Sequence, residues 1–254
     1  MTDTLAEAAV RAIACLDLTS LNDDDSDAAI TALCRRAVTP AGPVAAVCVY
    51  PRFVPLCRRL LDGSGVRVCT VVNFPHGRED AAAVAAETRA AVDDGADEID
   101  VVLPYQAWLS GRRDPARAVL EAARAAAGDR TLKVILETGR LMTAAAITSA
   151  AAAAVVAGAD FLKTSTGKTA VSATLESAHL LLDVAAAAGR PVGVKVAGGV
   201  RTPAQAAAYL RLADGVLGTA VGPDRFRFGA SGLLGALLAT LGDGTAGPVP
   251  RSGY

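Results

Sequence analysis

Residues 158–168 read GADFLKTSTGK. Gly158 stands just past an alanine-rich run of helical character, where a helix C-terminus favours glycine. The short apolar segment after it reads as a strand, and Lys163 closes that strand. The stretch is thus a joint between a helix and the next strand, and the same joint recurs along the chain. Strand candidates lie near residues 12–18, 44–49, 66–73, 97–102, 131–137, 159–163, 191–196 and 214–218. Helix candidates follow each of them, near 24–38, 53–62, 79–94, 114–127, 142–157, 173–188, 202–212 and 230–241. Thr202-Pro203 supplies an N-cap and a first-turn proline for one of these helices. Eight strand-then-helix units predict an α/β fold, a (β/α)8 TIM barrel in a single domain over residues 1–241. An open doubly wound sheet is the alternative, but no Gly-x-Gly-x-x-Gly follows the first strand. The remaining residues, 242–254 (GDGTAGPVPRSGY), read as a flexible tail.

At 254 residues, the chain has the length such a barrel needs, and 52% hydrophobic content is ample for its core. The net charge is −1, no basic stripe is visible and aromatics make up 4%, so no nucleic-acid partner is expected. The longest uncharged run, residues 141–159, is mostly Ala with Thr and Ser and reads as a packed helix; no membrane partner is expected. The first residues, MTDTLAEAAV, lack the basic and apolar regions of a signal peptide. The five cysteines, Cys15, Cys34, Cys48, Cys57 and Cys69, are odd in number and form no CxxC, which favours free thiols and a cytoplasmic location.

Lysine is scarce: Lys133, Lys163, Lys168 and Lys195 stand among 25 basic residues, and the rest are arginine. Arginine stays charged in proteins, whereas a desolvated lysine can act as an amine. Strand phase places three of the four. One face of each strand meets the helices and is apolar; the other points into the barrel. In LKVILET the interior phase is Lys133, Ile135 and Glu137. In GVKV it is Lys195, in DEIDVV Glu98 and Asp100, in CLDLT Cys15, Asp17 and Thr19, and in ADFLKT Phe161 and Lys163. Barrel interiors are usually apolar, so this charged set is either an active site or a structural ion-pair network. Lys163 ends the sixth strand and Lys195 the seventh, about 5 Å apart if the strands are neighbours. One ammonium beside another disfavours protonation and frees a nucleophilic amine, as Schiff-base chemistry on a carbonyl requires.

VAGGVRT (196–202) follows the seventh strand and FGASGLL (228–234) opens the eighth helix. Glycine-rich backbone and a helix N-terminus together suit a phosphate, with Lys168 in reach of the same anion. The two histidines, His76 and His179, show no ligand spacing, and no metal and no cofactor are expected. His179 reads as a helix-surface residue, and Cys48 as an inward, packed thiol.

The segments DLTSLNDDD, AAVCVYPRFV, VVNFPHG, ADEIDVVLPY, LKVILETG, GADFLKTSTGK, VKVAGGVRT and RFGASGLL follow one another as in the deoxyribose-phosphate aldolase family, which the chain resembles over nearly its whole length. The resemblance implies a (β/α)8 barrel and reversible, metal-free cleavage of 2-deoxy-D-ribose 5-phosphate to acetaldehyde and D-glyceraldehyde 3-phosphate. It implies Lys163 as the Schiff-base lysine, Lys195 as the lysine that perturbs it and Asp100 as the proton-relay carboxylate. Asp17 and Thr19 match its hydroxyl-binding network, and Gly198, Gly199 and Ser231 its phosphate site. Gly232 stands where related bacterial sequences often carry a second serine, and Arg140 where an acid is common. An aromatic phenol at the end, here Tyr254, matches a tail residue that assists proton transfer over the barrel mouth.

The expectation is therefore a class I aldolase acting on a phosphorylated sugar and aldehydes. Without the resemblance, the residues indicate only a Schiff-base enzyme on a sugar phosphate. A transaldolase-like or keto-acid aldolase, and a barrel that only binds a phosphorylated metabolite, remain the alternatives. Oligomeric state is not legible, and a homodimer is left open.

Overall fold

The structure, a computed structural model, describes residues 3–242. Eight strands are parallel throughout and close into one barrel: β1 (Leu16–Thr19), β2 (Ala46–Val49), β3 (Arg67–Val72), β4 (Glu98–Val102), β5 (Thr131–Ile135), β6 (Phe161–Lys163), β7 (Gly193–Ala197) and β8 (Phe226–Ala230). Strand β1 pairs with both β2 and β8, which closes the ring. The main helices are α1 (Leu5–Ala14), α2 (Asp27–Arg36), α3 (Val54–Leu60), α4 (Ala81–Asp93), α5 (Arg113–Ala127), α6 (Ala144–Val156), α7 (Leu175–Ala186), α8 (Pro203–Leu217) and α9 (Leu233–Thr240). Helix α1 precedes the first strand, and each later one follows a strand. This is a (β/α)8 barrel.

Strand phase accounts for the two compartments. Leu16, Leu18, Ile99, Val101, Leu132, Val134, Val194 and Val196 join the helices' apolar faces in the main core. Inside the barrel, Ala46, Cys48, Cys69 and Val71 of β2 and β3 form a small apolar cluster with Leu21. The rest of the interior carries the charged side chains. Thr202 caps α8 with its side chain on the Gln205 N–H, with Pro203 in the first turn.

Two expected strands are placed differently. Residues 12–14 end α1, which begins with a capping box between Thr4 and Glu7, and β1 starts at Leu16. Residues 214–217 continue α8 and Gly218 ends it at φ 70°, in the left-handed region that glycine tolerates. The eighth strand is instead Phe226–Ala230, in which Phe226 and Phe228 face outward and Arg227 points in. Among the described residues, no helix is long and apolar enough to cross a membrane.

Candidate active site

The β6–β7 register places Lys163 directly beside Lys195. Both ammonium groups donate to the same carboxylate oxygen, Asp100 Oδ2, at 2.8 and 2.7 Å. Lys195 lies mid-strand rather than at a strand end, and it also reaches Asp17 Oδ2 at 2.6 Å. Lys133 donates to Asp100 Oδ1 at 2.8 Å, pairs with Glu98 at 2.6 Å and lies 3.6 Å from Asp17. Arg227 completes the set, with Asp17 Oδ1 at 2.6 Å and Glu98 Oε1 at 2.9 Å. All seven side chains are buried. Four cationic groups thus face three carboxylates, and Lys163 contacts only one of them.

Small residues make room for this. A Cβ on Gly229 would stand 3.1 Å from both Lys195 Cε and Ala197 Cβ, so the Lys195 side chain passes over bare backbone. Gly193 is required in the same way by the Phe161 ring, over which the Arg227 guanidinium stacks at 5.5 Å. The network is graded along the barrel. Glu98 begins β4, whereas Lys163 is the last residue of β6, at the C-terminal strand ends where barrel sites sit. Lys163 is also the last strand residue before the loop that runs to Lys168.

Burial alone would disfavour every charge here. For Asp100, burial pushes the carboxyl up, but Lys133, Lys163 and Lys195 outweigh it and hold it well below the usual carboxylate range. For Asp17, burial is likewise overcome by Lys195 and Arg227. Burial pushes Lys195 down, and Asp100 and Asp17 more than reverse it, holding the ammonium well above its ordinary value. Lys133 behaves alike, with Asp100 and Glu98 among the groups that raise it.

The other expected residues fall around the same end of the barrel. Thr19 is buried, its hydroxyl donating to the Asp17 carbonyl at 2.8 Å. Gly198 and Gly199 directly follow β7 at φ 77° and 88°. A Cβ on Gly198 would meet Ser172 Oγ at 2.5 Å. Ser231 and Gly232 lead into α9, with Gly232 as its N-cap position. Lys168 is a loop lysine whose Nζ donates to the Leu21 carbonyl at 2.7 Å. Tyr254 lies outside the described residues. His76 is exposed, and His179 lies on the α7 surface 3.6 Å from Asp183.

Two contributors, Arg227 and Cys69, have no place among the sequence expectations, and a third, Glu137, has a place but no role. Arg227 lies between the strand expected at 214–218 and the helix expected at 230–241, although its Phe-Arg-Phe alternation carries a period of two. Cys69, on the inward face of β3, donates to Asp100 Oδ1 at 3.2 Å. Glu137, expected inside, has φ 56° and accepts hydrogen bonds from the Thr166 hydroxyl and, at 3.2 Å, from Thr169. It thereby ties the end of β5 to the loop after Lys163. Cys48, Cys69 and Asp100 come within ligand distance of one another, as do Asp17, Cys69 and Glu98. A cation there would compete with the ammonium and guanidinium groups already on those carboxylates.

A family model described as DeoC/LacD family aldolase matches residues 11–231. A Toxoplasma gondii ME49 structure described as a deoxyribose-phosphate aldolase in its apo form is 28% identical, with a TM-score of 0.87 over 96% of this chain and 99% of that one. A Coccidioides immitis structure described as a deoxyribose-phosphate aldolase is 30% identical, with a TM-score of 0.83 over 95% of this chain and 88% of that one. The deoxyribose phosphate aldolase of Aeropyrum pernix, described as a tetramer, is 25% identical, with a TM-score of 0.73 over 94% and 92%.

Proposed function

The chain belongs to the DeoC/LacD family of aldolases, and from that premise we propose that it reversibly cleaves 2-deoxy-D-ribose 5-phosphate to acetaldehyde and D-glyceraldehyde 3-phosphate through an imine on Lys163. The observation that carries this reading is the shared oxygen: Lys163 and Lys195, side by side on neighbouring strands, both bind Asp100 Oδ2. Imine formation needs one amine to become neutral while a neighbouring acid and base stay at hand. Among the described residues, Lys163 is the amine that gives up the fewest ion pairs when it does so, because its one carboxylate partner is Asp100, whereas Lys195 also pairs with Asp17.

In the synthetic direction, the Lys163 amine adds to acetaldehyde and water leaves, giving a protonated imine. That imine draws electrons from the adjacent carbon. A methyl proton departs through a water held by Asp100 and Lys195, giving an enamine. The enamine carbon attacks the aldehyde of the phosphorylated acceptor, and hydrolysis frees Lys163. Asp17 and Thr19 meet the sugar hydroxyls. The Gly198-Gly199 turn, Ser231 and Gly232 present backbone N–H groups to the phosphate, with Lys168 nearby. The C-terminal Tyr254 phenol assists the proton transfer.

The test is a cleavage assay on 2-deoxyribose 5-phosphate with aldehyde product detected, run beside a panel of other phosphorylated sugars and keto acids and repeated in EDTA. Acetaldehyde release from the deoxy sugar, preferred over the panel and unchanged by chelator, is expected. Preference for a keto acid, or loss in EDTA restored by zinc, contradicts the reading.

A further inference from the structure

Asp100 offers its two oxygens to two different sets of partners. Oδ2 takes Lys163 and Lys195 at 2.8 and 2.7 Å. Oδ1 takes Lys133 Nζ at 2.8 Å and the Cys69 thiol at 3.2 Å. Lys133 and Cys69 are also joined to each other at 3.2 Å, and Lys133 is anchored below by Glu98 at 2.6 Å. Both residues are mid-strand and fully buried, away from the strand end where Lys163 lies. The proposed reaction uses neither of them.

We infer that Lys133 and Cys69 are positioning residues: together they fix Asp100 Oδ1, so that Oδ2 stays aimed between the two reacting amines. The inference rests on the reading of Lys163 as the imine former and Asp100 as part of its proton relay. During that cycle the charge on Lys163 alternates, positive as ammonium and imine, neutral as amine and enamine. Of the two cations on Oδ2, that of Lys163 therefore comes and goes while that of Lys195 stays. The Lys133 ammonium on Oδ1 stays as well, because it takes no part in covalent chemistry. It keeps Asp100 anionic and in one orientation at every stage.

Electrostatics agree with this geometry. Burial pushes the Asp100 carboxyl up, and Lys133 heads the charges that pull it well below the ordinary range. Burial, Cys48 and Asp100 together hold the Cys69 thiol well above its ordinary value, so it keeps the proton it donates. The groups facing Asp100 are Lys133 of β5, Lys163 of β6, Lys195 of β7, Asp17 of β1, Cys69 of β3 and Cys48 of β2, with Glu98 on its own strand. Among the described residues, only Lys133 and Cys69 touch Oδ1.

The test compares Lys133→Met, Cys69→Ala and Cys69→Ser with the parent protein. Methyl-proton exchange of acetaldehyde in deuterated buffer is followed across pH, beside borohydride trapping of Lys163. Removing a charged hydrogen-bond partner predicts exchange slower by roughly 10-fold or more in Lys133→Met, and by about threefold in Cys69→Ala. The acidic limb of the exchange profile moves to higher pH in both, since Asp100 loses partners of its anionic form. Cys69→Ser, which keeps a donor, restores the parent profile. Trapping at Lys163 stays within about twofold throughout, because Lys163, Lys195 and Asp100 are all retained in each variant and trapping reads the adduct that accumulates rather than the rate of the proton transfer. Parent-like exchange with an unmoved limb overturns the inference, as does trapping that falls in parallel with exchange. Should Lys133→Met fail to fold by circular dichroism, the Cys69 pair decides alone, on the same criteria. Failure of the parent protein to trap at Lys163 instead sinks the underlying reading.

Discussion

Lys163, Lys195 and Lys133 are chemically the same side chain at three positions of one barrel, and their neighbours separate them. Among the described residues, Lys163 contacts one carboxylate, Lys195 two and Lys133 three. Removing one partner of a buried ion pair leaves the other uncompensated, at a cost of about 3–5 kcal/mol. Lys195→Met is therefore expected to destabilise the protein by roughly that amount, and Lys163→Met by clearly less. Denaturant unfolding of the two variants checks this; equal losses contradict the distinction. Gly229→Ala is predicted to cut turnover by about tenfold, because a Cβ 3.1 Å from Lys195 Cε makes that side chain give by a few tenths of an ångström at Asp100. A steady-state rate at the parent level would show that Lys195 has room to spare.

At the scale of elements, the proposed function assigns the phosphorylated end of a substrate to two loops. Gly198→Ala puts a Cβ 2.5 Å from Ser172 Oγ at a φ of 77°, so it should raise KM for 2-deoxyribose 5-phosphate several-fold. Gly232→Ser meets nothing within 4 Å and needs no unusual φ. It is expected to lower KM modestly, by the roughly 0.5–1.5 kcal/mol of one hydrogen bond. Steady-state kinetics on both variants test whether these loops hold phosphate; an unchanged KM in both removes it from them.

The same scale shows what was legible in the sequence. The eight-unit barrel and the inward phase of Asp17, Asp100, Lys133, Lys163 and Lys195 follow from alternation alone, because a strand with one helix-facing side leaves its phase no freedom. The Lys163–Lys195 pairing followed from adjacency of strands. The position of β8 did not follow. A short apolar run such as Gly215-Val216-Leu217 fits a strand or a buried helix turn equally well, and the choice is tertiary. There the helix is prolonged over Asp214, whose carboxylate accepts from Arg11 at 2.7 Å and from the Val221 N–H at 2.8 Å, contacts invisible to local pattern. Missing β8 meant missing Arg227. The division of labour between the two oxygens of Asp100 was equally out of reach, since it depends on ångström distances between strands.

For the molecule as a whole, the buried charges link stability to pH. Asp17 and Asp100 have folded values below the unfolded carboxylate value. Their contribution is present above about pH 3.9 and is lost as pH falls toward the folded values. Lys133 and Lys195 have folded values raised above the ordinary ammonium value. Theirs is present below about pH 10.4 and is lost as pH rises through the folded values. The interior network therefore predicts a stability plateau across neutral pH with an acid slope below about 4, and Asp17→Asn should weaken that slope. Thermal unfolding as a function of pH checks this; an acid slope unchanged in Asp17→Asn contradicts it.

The proposed chemistry begins with one bond, between the Lys163 nitrogen and an aldehyde carbon. Incubating the protein with acetaldehyde, reducing with borohydride and mapping the peptides reads that bond directly. The prediction is a single ethyl group on Lys163, loss of activity in proportion to labelling, and no label in Lys163→Arg, whose guanidinium cannot form the imine. A label found mainly on Lys195 or Lys168, or no reducible adduct at all, would contradict it.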